Sequence, residues 1–114
     1  CIRDRENLDR YVADKRETAA RYVEFFKGKE DITFFTEPAD CKSNYWLNAV
    51  VLKDKAAQLD FLEYTNDHGV MTRPVWELMN RLPMFEHCET DGLENTEWLA
   101  DRVVNIPSSV RLDK

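Results

Sequence analysis

Three glycines among 114 residues are too few to build a phosphate-cradling loop. Histidine is scarcer still. His68 falls at the expected end of a helix, where the dipole is reason enough for it, and His87 beside Cys88 lacks further ligands at workable spacing, so no metal site is expected. Cys1, Cys41 and Cys88 form an odd, scattered set that is neither a disulfide framework nor a zinc pattern, and a reducing, cytoplasmic setting is the expectation. Basic charge is also short. Sixteen Lys and Arg against 22 Asp and Glu leave a net charge of −6, which argues against nucleic acid or an anionic membrane as partner. No apolar run approaches the roughly 18 residues a membrane-crossing helix needs. The opening stretch, "CIRDRENLDR", is charged throughout and does not read as a secretory signal.

What is present suits a single globular domain: 43% hydrophobic and 11% aromatic residues, in a length that allows one core. Leu8, Tyr11, Val12, Ala19, Tyr22, Val23 and Phe26 recur at helical spacing. They predict a long amphipathic helix over residues 1–28, supported by Glu6–Arg10 and Glu17–Arg21 one turn apart and stopped at Gly28. Its start at the first residues leads to the expectation that the chain is part of something larger. "DITFFTEP" reads as a strand ended by Pro38. "YWLNAVVLK" is apolar on both alternating faces except for Asn48, as an interior strand would be. Asp54 is placed to cap a helix over "KAAQLDFLEYTNDH", with Gly69 at its end. "VMTR" offers a third strand, "LENTEWLADR" a short helix and "VVNIP" a fourth strand. Residues 29–114 therefore form an α+β layer. The expected fold is a two-layer domain with a small, mostly antiparallel sheet and helices mainly on one face.

Carboxylates are plentiful, but most fall on solvated helix faces and no pair stands out. Cys41, followed by Lys42, could be an activated thiol, but no histidine lies in its local sequence, and a small side chain packed under the sheet is the plainer alternative. Two polar-aromatic clusters at strand ends remain: "KSNYW", residues 42–46, and "TRPVW", residues 72–76. Arginine beside aromatic rings suits a carboxylate, a phosphate or a planar ring. The alternative makes Trp46 and Trp76 core aromatics and Arg73 half of a surface ion pair.

At these residues a resemblance enters. "ENLDRYVADKRETAARY" resembles the helix leading out of the large domain in the DegT/DnrJ/EryC1/StrS family of pyridoxal-phosphate aminotransferases. "SNYWLNAVVLKD", "GVMTRPVWELMNRLPMF" and "RVVNIPSS" resemble that family's small C-terminal domain, most nearly in the branch that aminates UDP-linked 4-keto sugars on the way to legionaminic-acid-type sugars. The resemblance spans nearly the whole chain. It implies a fold-type-I enzyme, homodimeric when full length, whose large domain carries pyridoxal 5'-phosphate on a lysine. Such an enzyme moves an amino group from glutamate to the C4 ketone of a nucleotide-linked keto sugar.

No segment here matches the Schiff-base lysine, the aspartate facing the pyridine nitrogen or the phosphate loop. The 114 residues alone are therefore expected neither to hold the cofactor nor to transaminate. Carried over residue by residue, the resemblance implies substrate-binding positions at Asn44 and Tyr45, and at Thr72, Arg73 and Trp76. Pro74 would hold Arg73 extended. Many relatives have a histidine shortly after this arginine. Here Glu77 to Arg81 contains none, and no substrate contact is carried over to Met79 or Asn80. A domain of this origin should expose an apolar patch, with contributions from the first helix and the loop around Trp76. The same scaffold could also serve as a non-enzymatic interaction or subunit-contact module, because a fold does not set a function.

Overall fold

The structure, a computed structural model, describes residues 5–111. Cys1 and the expected helical start at the first four positions lie outside them. The first long element is helix α1, Leu8–Phe26. Asn7 has a non-helical ψ of 1° and makes no side-chain cap, so the helical residues Arg5 and Glu6 are set off from it. Across that step Glu6 and Arg10 do not pair, whereas Glu17 and Arg21 do, at 2.5 Å. The helix stops where Gly28 turns left-handed (φ +76°).

Strand β1, Ile32–Phe34, and strand β2, Asn48–Leu52, run antiparallel with Phe34 opposite Val50. Helix α2, Lys55–Asp67, starts at Asp54, whose carboxylate accepts from the Ala57 amide at 2.8 Å. Strand β3 is Arg73–Pro74, a 3₁₀ turn covers Met79–Arg81, helix α3 is Glu94–Ala100 and strand β4 is Val103–Ile106. The sheet order is β1-β2-β4-β3, antiparallel throughout. Both neighbours of β2 are thus strands, as its expected interior position requires; Asn48, Val50 and Leu52 are buried on one face, while Ala49 and Val51 are half-buried on the other.

The elements are shorter than the sequence patterns predict, and the reasons are local. Before β2, the Ser43 and Asn44 side chains accept from the amides of Tyr45 and Trp46, and Tyr45 takes a left-handed φ of 47°. Those bonds compete with the ladder and delay the strand to Asn48. After Phe34 only the Phe35 amide still reaches across, to Ala49, before the chain leaves the sheet. The third strand begins at Arg73 rather than Val70, because the Val70 amide still belongs to the exit from α2, bonded to Thr65. Pro74 is tolerated there because β3 is an edge strand.

Ile32, Phe34, Asn48, Val50, Leu52, Val104 and Ile106 share one face of the sheet by register and alternation. Tyr22, Val23 and Phe26 from α1 and Ala57, Phe61 and Leu62 from α2 pack against the same buried cluster. Both long helices therefore cover one face, as expected. Ala19 is the α1 residue that is fully buried, and Leu8, counted in the predicted stripe, is exposed. Val50 and Val104, opposite each other and fully buried, each contribute roughly 1.5–3 kcal/mol by leaving water. Gln58 spans the layers, its amide donating to the Ala100 and Val103 carbonyls at 3.0 and 2.8 Å.

Candidate functional site

The two clusters singled out in the sequence converge. β4 brings them together: its Asn105 pairs with Arg73 on one side, while its Asn48 partner, Ile106, lies on the other. Above that junction lies an open groove of about 770 Å³, lined by Trp46 and Leu47 from the first cluster and by Arg73, Pro74 and Trp76 from the second. Met71, the 105–109 segment and Lys15 of α1 complete the lining.

The packing alternative fails for these residues. Trp46 is 68% and Trp76 73% exposed, so neither is a core aromatic. Arg73 has no carboxylate partner among the described residues; its guanidinium lies 3.8 Å from the Met71 sulfur. Its direction follows from Pro74, which restricts the preceding residue to extended backbone, and from its pairing with Asn105.

Asn44, Tyr45 and Thr72 do not line this groove. Asn44 acts one step back: its side-chain oxygen accepts from the Trp46 amide at 3.0 Å and so sets the turn that presents the indole. Tyr45 turns the other way. Its ring stacks on Phe34 at 6.4 Å, lies 5.6 Å from the Arg16 guanidinium, and its hydroxyl accepts from the Glu37 amide. Thr72 is buried, its hydroxyl 2.6 Å from that of Thr65 and 3.1 Å from the Asn66 amide nitrogen, which pins the entry of β3 to the end of α2. The sequence pattern could not separate these roles, because neighbouring residues on an extended segment point to opposite sides.

The Asn44–Trp46 turn is itself clamped from below. Arg16 makes a two-pronged ion pair with Glu37, at 2.9 and 2.7 Å, and donates to the Ser43 carbonyl, while the Ser43 amide donates to Glu37. The Arg16 hydrogen bond, then the Ser43 amide, hold the Glu37 carboxyl down at about 2, and the same pair raises Arg16. The 105–109 segment is clamped likewise. Tyr22 donates to the Pro107 carbonyl, and Ser108 accepts from the Asn48 amide while donating to Ile106. Burial pushes the Tyr22 phenol above its ordinary value. Lys15 donates to the carbonyls of Trp46 and Ser108, at 3.2 and 2.6 Å, tying both segments to α1.

Lys15 escaped notice in the sequence, yet it left a signal. It falls on the apolar stripe between Tyr11 and Ala19, a charged residue where the pattern wants an apolar one. Elsewhere, Cys41 is exposed rather than packed under the sheet, because the loop that carries it leaves the sheet edge. Cys88 is exposed too, beside Met79, Asn80 and Phe85 in a second hollow of about 640 Å³. His68 caps α2, its ring nitrogen 2.7 Å from the Tyr64 carbonyl. Among the described residues no three His, Cys, Asp or Glu side chains gather as a metal site, and no helix is long and apolar enough to cross a membrane.

Comparison with known proteins gives the family and the fold of this arrangement. The sequence pattern described as the DegT/DnrJ/EryC1/StrS aminotransferase family matches residues 3–114. EpsN of Bacillus subtilis (strain 168), provisionally named as a pyridoxal phosphate-dependent aminotransferase, is 26% identical over 107 residues, covering 90% of this chain and 28% of that protein. Among solved structures, the aminotransferase TlmJ from Streptoalloteichus hindustanus superposes with a TM-score of 0.81 at 21% identity, over 90% of this chain and 28% of its own. The sugar aminotransferase CalS13 from Micromonospora echinospora does so with a TM-score of 0.78 at 24% identity, over 96% and 28%. At these identities the structural matches speak for the fold. The chain spans a little over a quarter of the length of each relative.

Proposed function

The chain belongs to the DegT/DnrJ/EryC1/StrS aminotransferase family, and from that premise we propose that it is the C-terminal domain of a pyridoxal phosphate-dependent sugar aminotransferase. In this proposal the complete enzyme, a homodimer, transfers an amino group from glutamate to the C4 ketone of a nucleotide-linked sugar. UDP-linked substrates of the legionaminic-acid type come first. This domain supplies part of the substrate wall. The observation that carries the proposal is the groove itself: two exposed tryptophans and an arginine without a carboxylate partner among the described residues, converging from separate strand ends.

Arg73 suits the substrate's phosphates or the glutamate carboxylate, because a guanidinium offers paired donors to two oxygens at once. Trp76 and Trp46 offer flat faces to a sugar or base. Asn44 holds the turn that presents Trp46, and Thr72 anchors the strand that presents Arg73. Tyr45 supports the same loop from beneath. All five positions named from the sequence thus have a place in the proposal, two by lining the groove and three by holding what lines it.

The residues present do not fit pyridoxal phosphate. That cofactor needs an amine free to form a Schiff base and a partner for its pyridine nitrogen. Among the described residues that line the groove, Lys15 is the one lysine and is committed to two carbonyls, and no carboxylate is among them. The proposal therefore assigns the cofactor, the catalytic lysine and the chemical step to the rest of the polypeptide. This domain binds, orients and excludes water.

The test is an amino-transfer assay of the full-length protein with glutamate against UDP- and GDP-linked 4-keto sugars. Turnover of at least one is expected. Arg73→Gln should raise KM about tenfold while leaving kcat within about twofold, the signature of a charge-assisted contact made equally in ground and transition states. No turnover with any member of the panel, or a gene whose reading frame starts near Cys1, would instead favour the interaction-module alternative.

A further inference from the structure

We propose that Lys15 is a second ligand-binding cation of the groove, and that with Arg73 it grips the diphosphate of a nucleoside diphosphate whose base stacks on the exposed tryptophans. The inference rests on the sugar-nucleotide reading above and deepens it. Its first support is charge. The chain carries 22 acidic residues and a net charge of −6, yet among the described residues that line the groove two are cations and none is Asp or Glu. A groove lined by cations in an otherwise acidic protein draws anions.

The second support is what holds the ammonium. Two of its three donors are spent on the Trp46 and Ser108 carbonyls, and it has no carboxylate partner among the described residues. A lysine so tethered has already lost the rotamer freedom that ligand binding would otherwise cost. Among the described residues its positive charge is met by those two carbonyl dipoles, which leaves one donor for a ligand in the groove it lines. A purely structural tie between α1 and these segments would not require a charge: Tyr22 makes such a tie to Pro107 with a hydroxyl.

The third support is spacing. Lys15 is anchored at Ser108 and Arg73 is paired with Asn105, three residues earlier on the same segment. The anchor points are then at most about 10 Å apart along the chain, a span that two long side chains can close around adjacent phosphate groups. Trp46 belongs to both halves of the site. Its carbonyl holds Lys15 and its indole is exposed to the groove, so the stacking platform and the phosphate-binding cation are fixed to the same residue.

The experiment is calorimetric titration of the full-length protein and its Lys15→Gln and Lys15→Arg variants with UDP, GDP, uridine, inorganic pyrophosphate and L-glutamate. Lys15→Gln should weaken the better of UDP and GDP, and pyrophosphate, about tenfold, the scale of one charge-assisted hydrogen bond. It should leave uridine unchanged, and Lys15→Arg should recover most of the loss. A merely structural lysine would weaken uridine and nucleotide alike, and that result overturns the proposal. So does unchanged nucleotide affinity in Lys15→Gln, or a loss confined to L-glutamate. The two proposals also fail separately. Charge-selective nucleotide binding without amino transfer to any keto sugar keeps the Lys15 site and removes the aminotransferase reading. Amino transfer with nucleotide affinity indifferent to Lys15→Gln does the reverse.

Discussion

Arg16 and Glu37 show how an ion pair from a helix into a loop can set the geometry of that loop several residues further on. Glu37 accepts from Arg16 twice and from the Ser43 amide, while Arg16 also donates to the Ser43 carbonyl, so the turn carrying Asn44, Tyr45 and Trp46 is held at its Ser43 end. The consequence is a pH dependence with a definite sign. The folded-state carboxyl sits at about 2 against 4.5 for the free group. Its contribution is therefore fully present above pH 4.5 and is lost as the pH falls toward 2. In thermal melts, wild type should exceed Glu37→Gln by a constant margin at neutral pH, and that margin should close between those two values. A margin independent of pH would show that the charge is irrelevant. None of this was visible in the sequence, where Arg16 and Glu37 are separated by a helix end and a strand.

At the scale of elements, the sheet is held less by strand length than by side chains that reach between layers. β3 has two residues and β1 three; what secures them is the Thr65–Thr72–Asn66 cluster on one side and the aromatic stack of Tyr22, Phe26 and Phe34 on the other. Gln58 is the clearest case, fully buried on α2 and bonded to the carbonyls on either side of the α3–β4 turn. Gln58→Leu keeps the volume but leaves those two carbonyls unmet, and should cost about 1–3 kcal/mol. Urea unfolding with an unchanged slope is the check, and a variant as stable as wild type would remove Gln58 from this role. Element type and order were legible from periodicity: Asp54 and Gly69 bracket α2 as caps should, and the run around Val50 is an interior strand. Element lengths were not. Ser43 and Asn44 capture amides that a hydrophobicity pattern assigns to the ladder, and the α2 exit keeps the Val70 amide.

The whole molecule has a modest core and a large uncovered apolar surface. Among the described residues six apolar side chains are buried, while Phe25, Phe35, Met71, Trp76, Met79 and Met84 are each about 60% exposed or more. The expectation of an exposed patch named α1 and the loop around Trp76, and Leu8, Phe25, Trp76 and Met79 lie there. Relatives of which this chain spans a little over a quarter supply the context: most of such a protein lies outside this domain. An environment-sensitive apolar dye should therefore bind the 114-residue chain strongly and the full-length protein several-fold less per molecule, because packing of the remaining domain would remove apolar area from water. Equal dye binding by the two would place the remaining domain elsewhere. The Trp46–Trp76 groove should keep its access in both if it is a substrate wall.

The sequence by itself determined the order of the elements, the interior position of β2, the Asp54 cap of α2, the stop of α1 at Gly28 and the family, because periodicity, caps and short motifs are local and survive without coordinates. It also marked "KSNYW" and "TRPVW" as the places to look. Only the tertiary structure decided which members of those clusters share a surface. Pairing of β4 between β2 and β3 sets Trp46 beside Arg73 and Trp76, turns Tyr45 and Thr72 inward, and brings Lys15 from a helix some thirty residues away from Trp46. The reason is physical: along an extended chain adjacent side chains diverge, and which of them meet is set by strand pairings between residues distant in sequence.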